Sequence, residues 1–197
     1  MIFCNLPVKR FITKANKTTR DEIERLIAGE PIEKPIRLEL TYDEIDNTKQ
    51  LTAFWNSIEE GKTTAIEQYL NRTLSNSISV FDTKAPENEK ESSYHTLLVG
   101  LLTGNTDWVV RSNVEAGEGF ADIIVEPEDP DAGIIFELKY SKEAIGLEKA
   151  CEKAIEQIKS RRYSEYLKND GRHNMTLYGI AFYKKRCKAV VETIKEV

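Results

Sequence analysis

A chain of 197 residues and 22.5 kDa fits one compact domain, or one domain with a small appendage. With 40% hydrophobic and 31% charged residues, ten Gly and six Pro, it is neither disordered, collagen-like nor low in complexity. No run approaches the ~18 consecutive apolar residues of a membrane-spanning helix, so no membrane partner is expected. The start MIFCNLPVKRFITKAN puts apolar residues ahead of basic ones and lacks a small-residue cleavage site, the wrong order for a signal peptide. Cys4, Cys151 and Cys187 are too scattered for a disulfide framework or a C-x-x-C zinc site, and a reducing cytoplasm is the expected compartment.

The net charge of −5 argues against a general nucleic-acid coat, but its distribution is uneven. Residues 1–138 hold 14 Lys+Arg against 25 Asp+Glu, a balance of −11, whereas residues 139–188 hold 13 against 6, a balance of +7. The last nine residues add −1. A basic C-terminal third suits a face that meets phosphate, and it equally suits a solvated Lys- and Glu-rich helix.

Along the chain, Thr19 to Gly29 carries the signals of a short helix: an N-cap Thr, acids in the first turn and a terminal Gly. Pro31 and Pro35 bracket an extended connector. Thr41 opens a capping-box pattern with a helix running toward Trp55, and Ala65, Ile66, Tyr69, Leu70 and Leu74 recur at helical spacing. Lys84–Ser93 is polar and reads as a linker. The next segment, from Tyr94 to Gly104, is nearly all apolar and reads as a buried helix capped by Ser92 or Ser93. Strands are predicted at Trp108–Asn113, Phe120–Glu126 and Gly133–Tyr140, with Ile124 facing away from Ile123 and Val125. A long amphipathic helix is predicted from Ser141 to Asn169, ending at Gly171. Strands at Met175–Tyr183 and Cys187–Thr193, joined by a basic turn, close an α-β-β-β-α-β-β order.

Gly61-Lys62-Thr63-Thr64 imitates the end of a phosphate-binding P-loop. That loop also needs a Gly where Asn56 stands, and a preceding strand where a helix is read, so no ATP is expected there. The chemistry points instead to Asp122, a charge inside an apolar strand, and to Glu137-Leu138-Lys139 fifteen residues on. A buried carboxylate costs several kcal/mol unless it is paired or bound to a cation. A hairpin of the two strands sets Asp122 beside Glu137, and strand alternation puts Glu137 and Lys139 on one face with Leu138 in the core. Two carboxylates and a Lys make a hard-oxygen site for Mg²⁺, with Lys139 able to orient an attacking water. Opposite charges this close are expected to keep Glu137 and Lys139 both ionised at neutral pH. The same spacing also fits a cross-strand ion pair on an exposed edge.

These residues resemble the signature of the PD-(D/E)XK nuclease superfamily: an αβββαβ core with an Asp on the second strand and (D/E)-x-K on the third. SSYHTLLVGLL, RSNVEAGEGFADIIVEP, IIFELK and YGIAFYKKRC are similar to the C-terminal nuclease domain of a group of predicted bacterial ATPases. The segments IAGEPIEKPIRLELTYDEI and GKTTAIEQYLNRTLSNSISVFD resemble the part of that group linking ATPase to nuclease. The Walker-containing ATPase itself is absent from the sequence, which reads as a reduced family member or a fragment.

The resemblance implies an α/β, restriction-endonuclease-like fold: a central mixed sheet flanked by helices, with residues 1–84 as a small helical appendage and 85–197 as the nuclease-like domain. It implies a Mg²⁺-dependent nuclease of bacterial, cytoplasmic origin, with Mn²⁺ as a substitute metal, acting on DNA rather than RNA, and a homodimer is compatible with it. Asp122, Glu137, Lys139 and Gln157 would be catalytic. Asp122, Glu137, the Leu138 carbonyl and Glu91 would hold metal, with Glu89 competing for the last place. Tyr163 lies six residues after Gln157, wider than the usual pairing of these residues in related exonucleases. His95 reads as a satisfied core histidine or a substrate contact. Lys159, Arg161, Arg162 and Lys184-Lys185-Arg186 read as phosphate contacts or as a solvated basic face. Two other classes remain open: a catalytically inactive nucleic-acid-binding or assembly module with the same fold, and a phosphate-ester hydrolase acting on a small molecule.

Overall fold

The computed structural model describes residues 42–77 and 87–195. Contacts divide the chain into two units, Met1–Ile45 and Asp46–Val197, and nearly all of the described residues lie in the second. The helix expected at Thr19–Gly29, the Pro31–Pro35 connector, Thr41 and the side chain of Glu89 fall outside the described residues. The elements in chain order are α1 (Tyr42–Glu59), α2 (Thr63–Ser77), α3 (Glu87–Leu102), β1 (Val109–Ala116), β2 (Gly119–Glu126), β3 (Ala132–Tyr140), a 3₁₀ turn (Ala144–Gly146), α4 (Leu147–Ser160), α5 (Ser164–Asn169), β4 (Asn174–Tyr183) and β5 (Arg186–Lys195).

The five strands form one sheet in the order β1-β2-β3-β4-β5. All neighbours are antiparallel except β3 and β4, which are parallel and therefore need the α4–α5 crossover. Alternation along β2 and β3 sorts side chains to two apolar layers. Ile123, Val125, Phe136 and Leu138 pack with Phe54, Ile58, Ile66, Leu70, Tyr94 and Leu98 of α1–α3. Ile124 and Ile135 pack with Ile155, Ile158 and Leu167 of α4–α5. Ile66, Leu70 and Leu74 of α2 sit four residues apart and are fully buried, each contributing roughly 1.5–3 kcal/mol of hydrophobic stabilisation. Thus α1 and α2 belong to the same core as the sheet, although a linker sequence separates them from the nuclease-like segment.

Three helices differ from the sequence reading. First, α1 continues past Trp55 to Glu59. Second, α3 begins at Glu87, so Ser92 and Ser93 lie within it rather than capping it, and the expected linker is helical from Glu87 onward. Only its stripe of Tyr94, Leu98 and Leu102 is fully buried, while Thr96 and Gly100 are exposed. Third, the single helix expected over 141–169 is broken. Arg162 N–H bonds Lys159 O and Tyr163 N–H bonds Ile158 O, with Arg162 at φ 55°, a Schellman C-cap built on Arg instead of Gly. The β1–β2 hairpin tip holds this break open, with Glu118 N–H donating to Arg161 O at 2.8 Å. A Cβ on Gly117 (φ 53°) would lie 2.2 Å from that same carbonyl, so the tip can dock only as glycine.

Two α2 side chains cover the outer edge of β5. Asn71 Oδ1 accepts Cys187 N–H at 2.7 Å and Glu67 Oε1 accepts Ala189 N–H at 3.0 Å. Covering of this kind blunts a strand edge that would otherwise template pairing. Among the described residues no helix is long and apolar enough to cross a membrane.

Candidate active site

The β2–β3 ladder runs from Val125↔Ile134 to Ile123↔Phe136 and stops there. Asp122 and Glu137 come next in register, and there side chains replace main-chain pairing. Asp122 Oδ2 accepts the Leu138 N–H at 2.7 Å. A strand residue presents N–H and C=O to the same side, so the Leu138 carbonyl also faces the gap beside Asp122.

The hairpin turns over at this point. Ala121 and Ile123 would share a face in a regular strand. Instead Ile123 lies in the layer under α1–α3, while Ala121, with Val114 across from it, joins the layer under α4–α5. Opposite Asp122, Asn113 has the left-handed φ of 52°, which Asn tolerates better than most residues. The rotation frees the Asp122 carboxylate from the ladder and turns it toward β3.

Glu137 is only 1% exposed although it carries a carboxylate, and β3 is the middle strand of five. These facts remove the exposed-edge ion pair from consideration. Lys139 Nζ donates to Glu137 Oε1 at 2.7 Å, and among the described residues the buried Glu137 Oε2 has no hydrogen-bond partner. Burial above all, and then the charge of Asp122, push the Glu137 carboxyl up to about 7, against the opposing pull of Lys139. The expectation that Glu137 stays fully ionised at neutral pH is therefore corrected: loss of water outweighs the neighbouring cation. Lys139 responds differently. Its own burial favours the neutral amine, but the bond and charge of Glu137, with Glu91 and Asp122 behind, outweigh this and raise its pKa.

Of the other sequence candidates, those on α3 reach this gap. Glu91 reaches it from the first turns of α3, its Oε2 accepting Tyr140 N–H at 3.1 Å just beyond Lys139. His95, one turn further along α3, is half-buried, with Nε2 3.0 Å from Asp122 O and 3.2 Å from Ser112 Oγ. Gln157 on α4 donates through Nε2 to Tyr163 Oη at 3.2 Å, so the broken helix brings together two residues whose sequence spacing looks too wide. Both line an open cleft with Gly119, Lys153 and Arg161, beside the start of β2. Lys159 is paired with Glu192, and Arg162 with Glu118 and Glu165. The basic turn Lys184–Arg186 leaves the end of β4, next to the end of β3 that carries Lys139, and buried Tyr94 donates its hydroxyl to Lys184 O at 2.8 Å. Sequence reasoning missed Ser112 and Asn113. Two small polar residues interrupting an apolar strand were the available signal.

A larger cleft of about 780 Å³ opens at the opposite end of the sheet, between Trp55, Trp108 and the starts of β3 and β4. Its lining carries Glu59, Asp107, Glu128 and Asp129 against Lys195, a balance that would repel phosphate.

A family model of the PD-(D/E)XK nuclease superfamily matches residues 89–192, just over half of the chain. The chain belongs to the PD-(D/E)XK nuclease superfamily. No curated protein matches it. The matched span of this PD-(D/E)XK chain contains Glu91, Asp122, Glu137, Lys139 and Gln157, and its mixed sheet with flanking helices is the α/β architecture of a restriction-endonuclease-like fold.

Divalent metal is typical of PD-(D/E)XK nucleases, and the donor set here fits one. Two carboxylates and a main-chain carbonyl are hard oxygen donors, and the orphaned Glu137 Oε2 is a buried acceptor suited to a cation. Among the described residues no three His, Cys, Asp or Glu side chains are gathered for metal.

Proposed function

We propose that this chain is a Mg²⁺-dependent nuclease hydrolysing phosphodiester bonds, with DNA as its substrate. The observation that carries the reading is the buried, partnerless Glu137 Oε2 beside Asp122 and Lys139, at the point where the sheet splays. An orphaned carboxylate oxygen in a protein core is costly, and a bound cation would offset that cost.

Asp122, Glu137 and the Leu138 carbonyl hold the metal in this reading, with Glu91 as a further carboxylate at the same end of β3. When bound, the metal lowers the pKa of a coordinated water and neutralises charge on a phosphoryl oxygen. The residues of the chain supply positioning. The Leu138 N–H orients the Asp122 carboxylate, and Lys139 holds Glu137 Oε1 so that Oε2 stays free. The Lys139 ammonium, with its side chain 25% exposed, has donors left to orient the attacking water and steady negative charge at phosphorus. Gln157 lines a cleft beside the start of β2 and is the remaining catalytic candidate of this reading. The basic turn Lys184–Arg186 receives backbone phosphates at the same end of the sheet.

Incubation with labelled DNA and RNA, in Mg²⁺, Mn²⁺ or chelator, tests this directly. Metal-dependent cleavage of DNA is expected. Lys139→Met, which keeps the aliphatic stem, should lower cleavage by a factor on the order of a hundred or more while nucleic-acid binding persists. A wild type that binds nucleic acid and never cleaves it would replace this reading with the inactive binding module.

A further inference from the structure

We propose that His95 is a positioning residue of this site: from α3 it sets the Asp122 carboxylate by holding the main chain of Asp122 at the turnover of the β1–β2 hairpin. The inference rests on the reading of Asp122 as part of the active site, and it adds a residue and a mechanism of preorganisation.

Three observations converge. His95 Nε2 lies 3.0 Å from the Asp122 carbonyl oxygen, which can only accept, so Nε2 carries the proton and donates. The same N–H is 3.2 Å from Ser112 Oγ on the neighbouring strand, so one ring nitrogen bridges both strands of the hairpin. These anchors fall at the point where the hairpin changes face, at Asp122 itself and at Ser112, the neighbour of Asn113 with its left-handed φ of 52°.

Asp122 is paired in neither the β1–β2 nor the β2–β3 ladder. The donor from His95 holds its carbonyl at this gap in the pairing. With the carbonyl pinned on one side, the carboxylate on the other side meets the Leu138 N–H at 2.7 Å. His95 is itself fixed, because α3 is anchored by fully buried Tyr94 and Leu98 on either side of it in sequence. The layer under α1–α3 is thereby coupled to a carboxylate in the gap, without His95 touching metal or substrate. Groups that orient a ligand in this way are worth roughly 10–100-fold in metal affinity.

The Leu138 amide is the direct reporter, since its partner is the Asp122 carboxylate itself. Two variants separate the donor from the bulk of the ring. His95→Gln keeps an N–H at the reach of Nε2, and His95→Asn keeps polarity but falls short. In metal-free protein, amide hydrogen exchange at Leu138 should quicken at least about tenfold in His95→Asn, approaching Asp122→Ala, and stay near wild type in His95→Gln, while core amides of β4 remain protected in all. Mn²⁺ affinity by calorimetry should weaken roughly 10–100-fold in His95→Asn and recover in His95→Gln. In wild type, nitrogen NMR of the ring should find the proton on Nε2. Unchanged Leu138 protection in a folded His95→Asn, or a proton on Nδ1 alone, overturns the proposal. A wild type that neither binds metal nor cleaves would instead overturn the nuclease reading, and the Leu138 amide would still decide the role of His95.

Discussion

Glu137→Gln isolates the consequence of burying a carboxylate before any metal arrives. In the folded chain its carboxyl is raised from 4.5 to about 7, chiefly by burial and then by the charge of Asp122. The native state therefore binds a proton more tightly than the unfolded chain does. The stabilisation this provides is fully present below the unfolded pKa and is lost as pH climbs through the folded one. At ~1.36 kcal/mol per unit the whole loss is about 3 kcal/mol, most of which falls between pH 5 and 8. Gln mimics the protonated acid and does not titrate. Urea unfolding of both proteins in chelator, across pH 5–8, should show near-equal stability at pH 5 and a variant more stable by about 2–3 kcal/mol at pH 8. Adding Mg²⁺ at pH 8 should narrow the gap, because a cation favours the ionised wild-type side chain and has less to bind in the variant. A stability difference that stays flat with pH would mean that Lys139 keeps Glu137 ionised throughout, and that burial had been given too much weight.

Further expectations address the rest of the site and its support. Replacing Lys184, Lys185 and Arg186 together should weaken DNA binding and flatten its dependence on salt, and an unchanged slope of log affinity against log salt would return the turn to ordinary solvated surface. Gly117→Ala should destabilise the fold by about 2 kcal/mol or more in urea unfolding, since the added Cβ would meet Arg161 O at 2.2 Å in a left-handed backbone. Milder loss would mean that the hairpin tip can lift away from the α4–α5 break.

Much of the fold is legible from residue order. The alternation of Ile123, Ile124 and Val125 assigns both layers, and a charge inside an apolar strand marks Asp122. The E-x-K spacing places Glu137 and Lys139 together because strand period two leaves no alternative. What stays hidden depends on contacts distant in sequence. Gly171, at φ 81°, ends α5 and announces itself, whereas Arg162 ends α4 in the same conformation with no local signal, because the hairpin tip imposes the break. Ser92 and Ser93 look like caps because serines do cap helices, yet α3 runs through them. The ionisation of Glu137 escapes residue order for a similar reason: sequence reveals the neighbouring Lys but not the absence of water.

The covered edge of β5 bears on how copies of this protein can meet. Glu67 and Asn71 occupy N–H groups at the start of that strand, and the opposite boundary of the sheet, β1, is interrupted midway by the left-handed Asn113. Neither margin offers an unbroken template on which a second chain could lay a strand and continue the ladder. Fibrous growth by sheet extension is thus obstructed at both sides, by a helix on one and by the same backbone inversion that frees the Asp122 carboxylate on the other. Among the described residues, a strand added at either edge would therefore meet a ladder that is already interrupted.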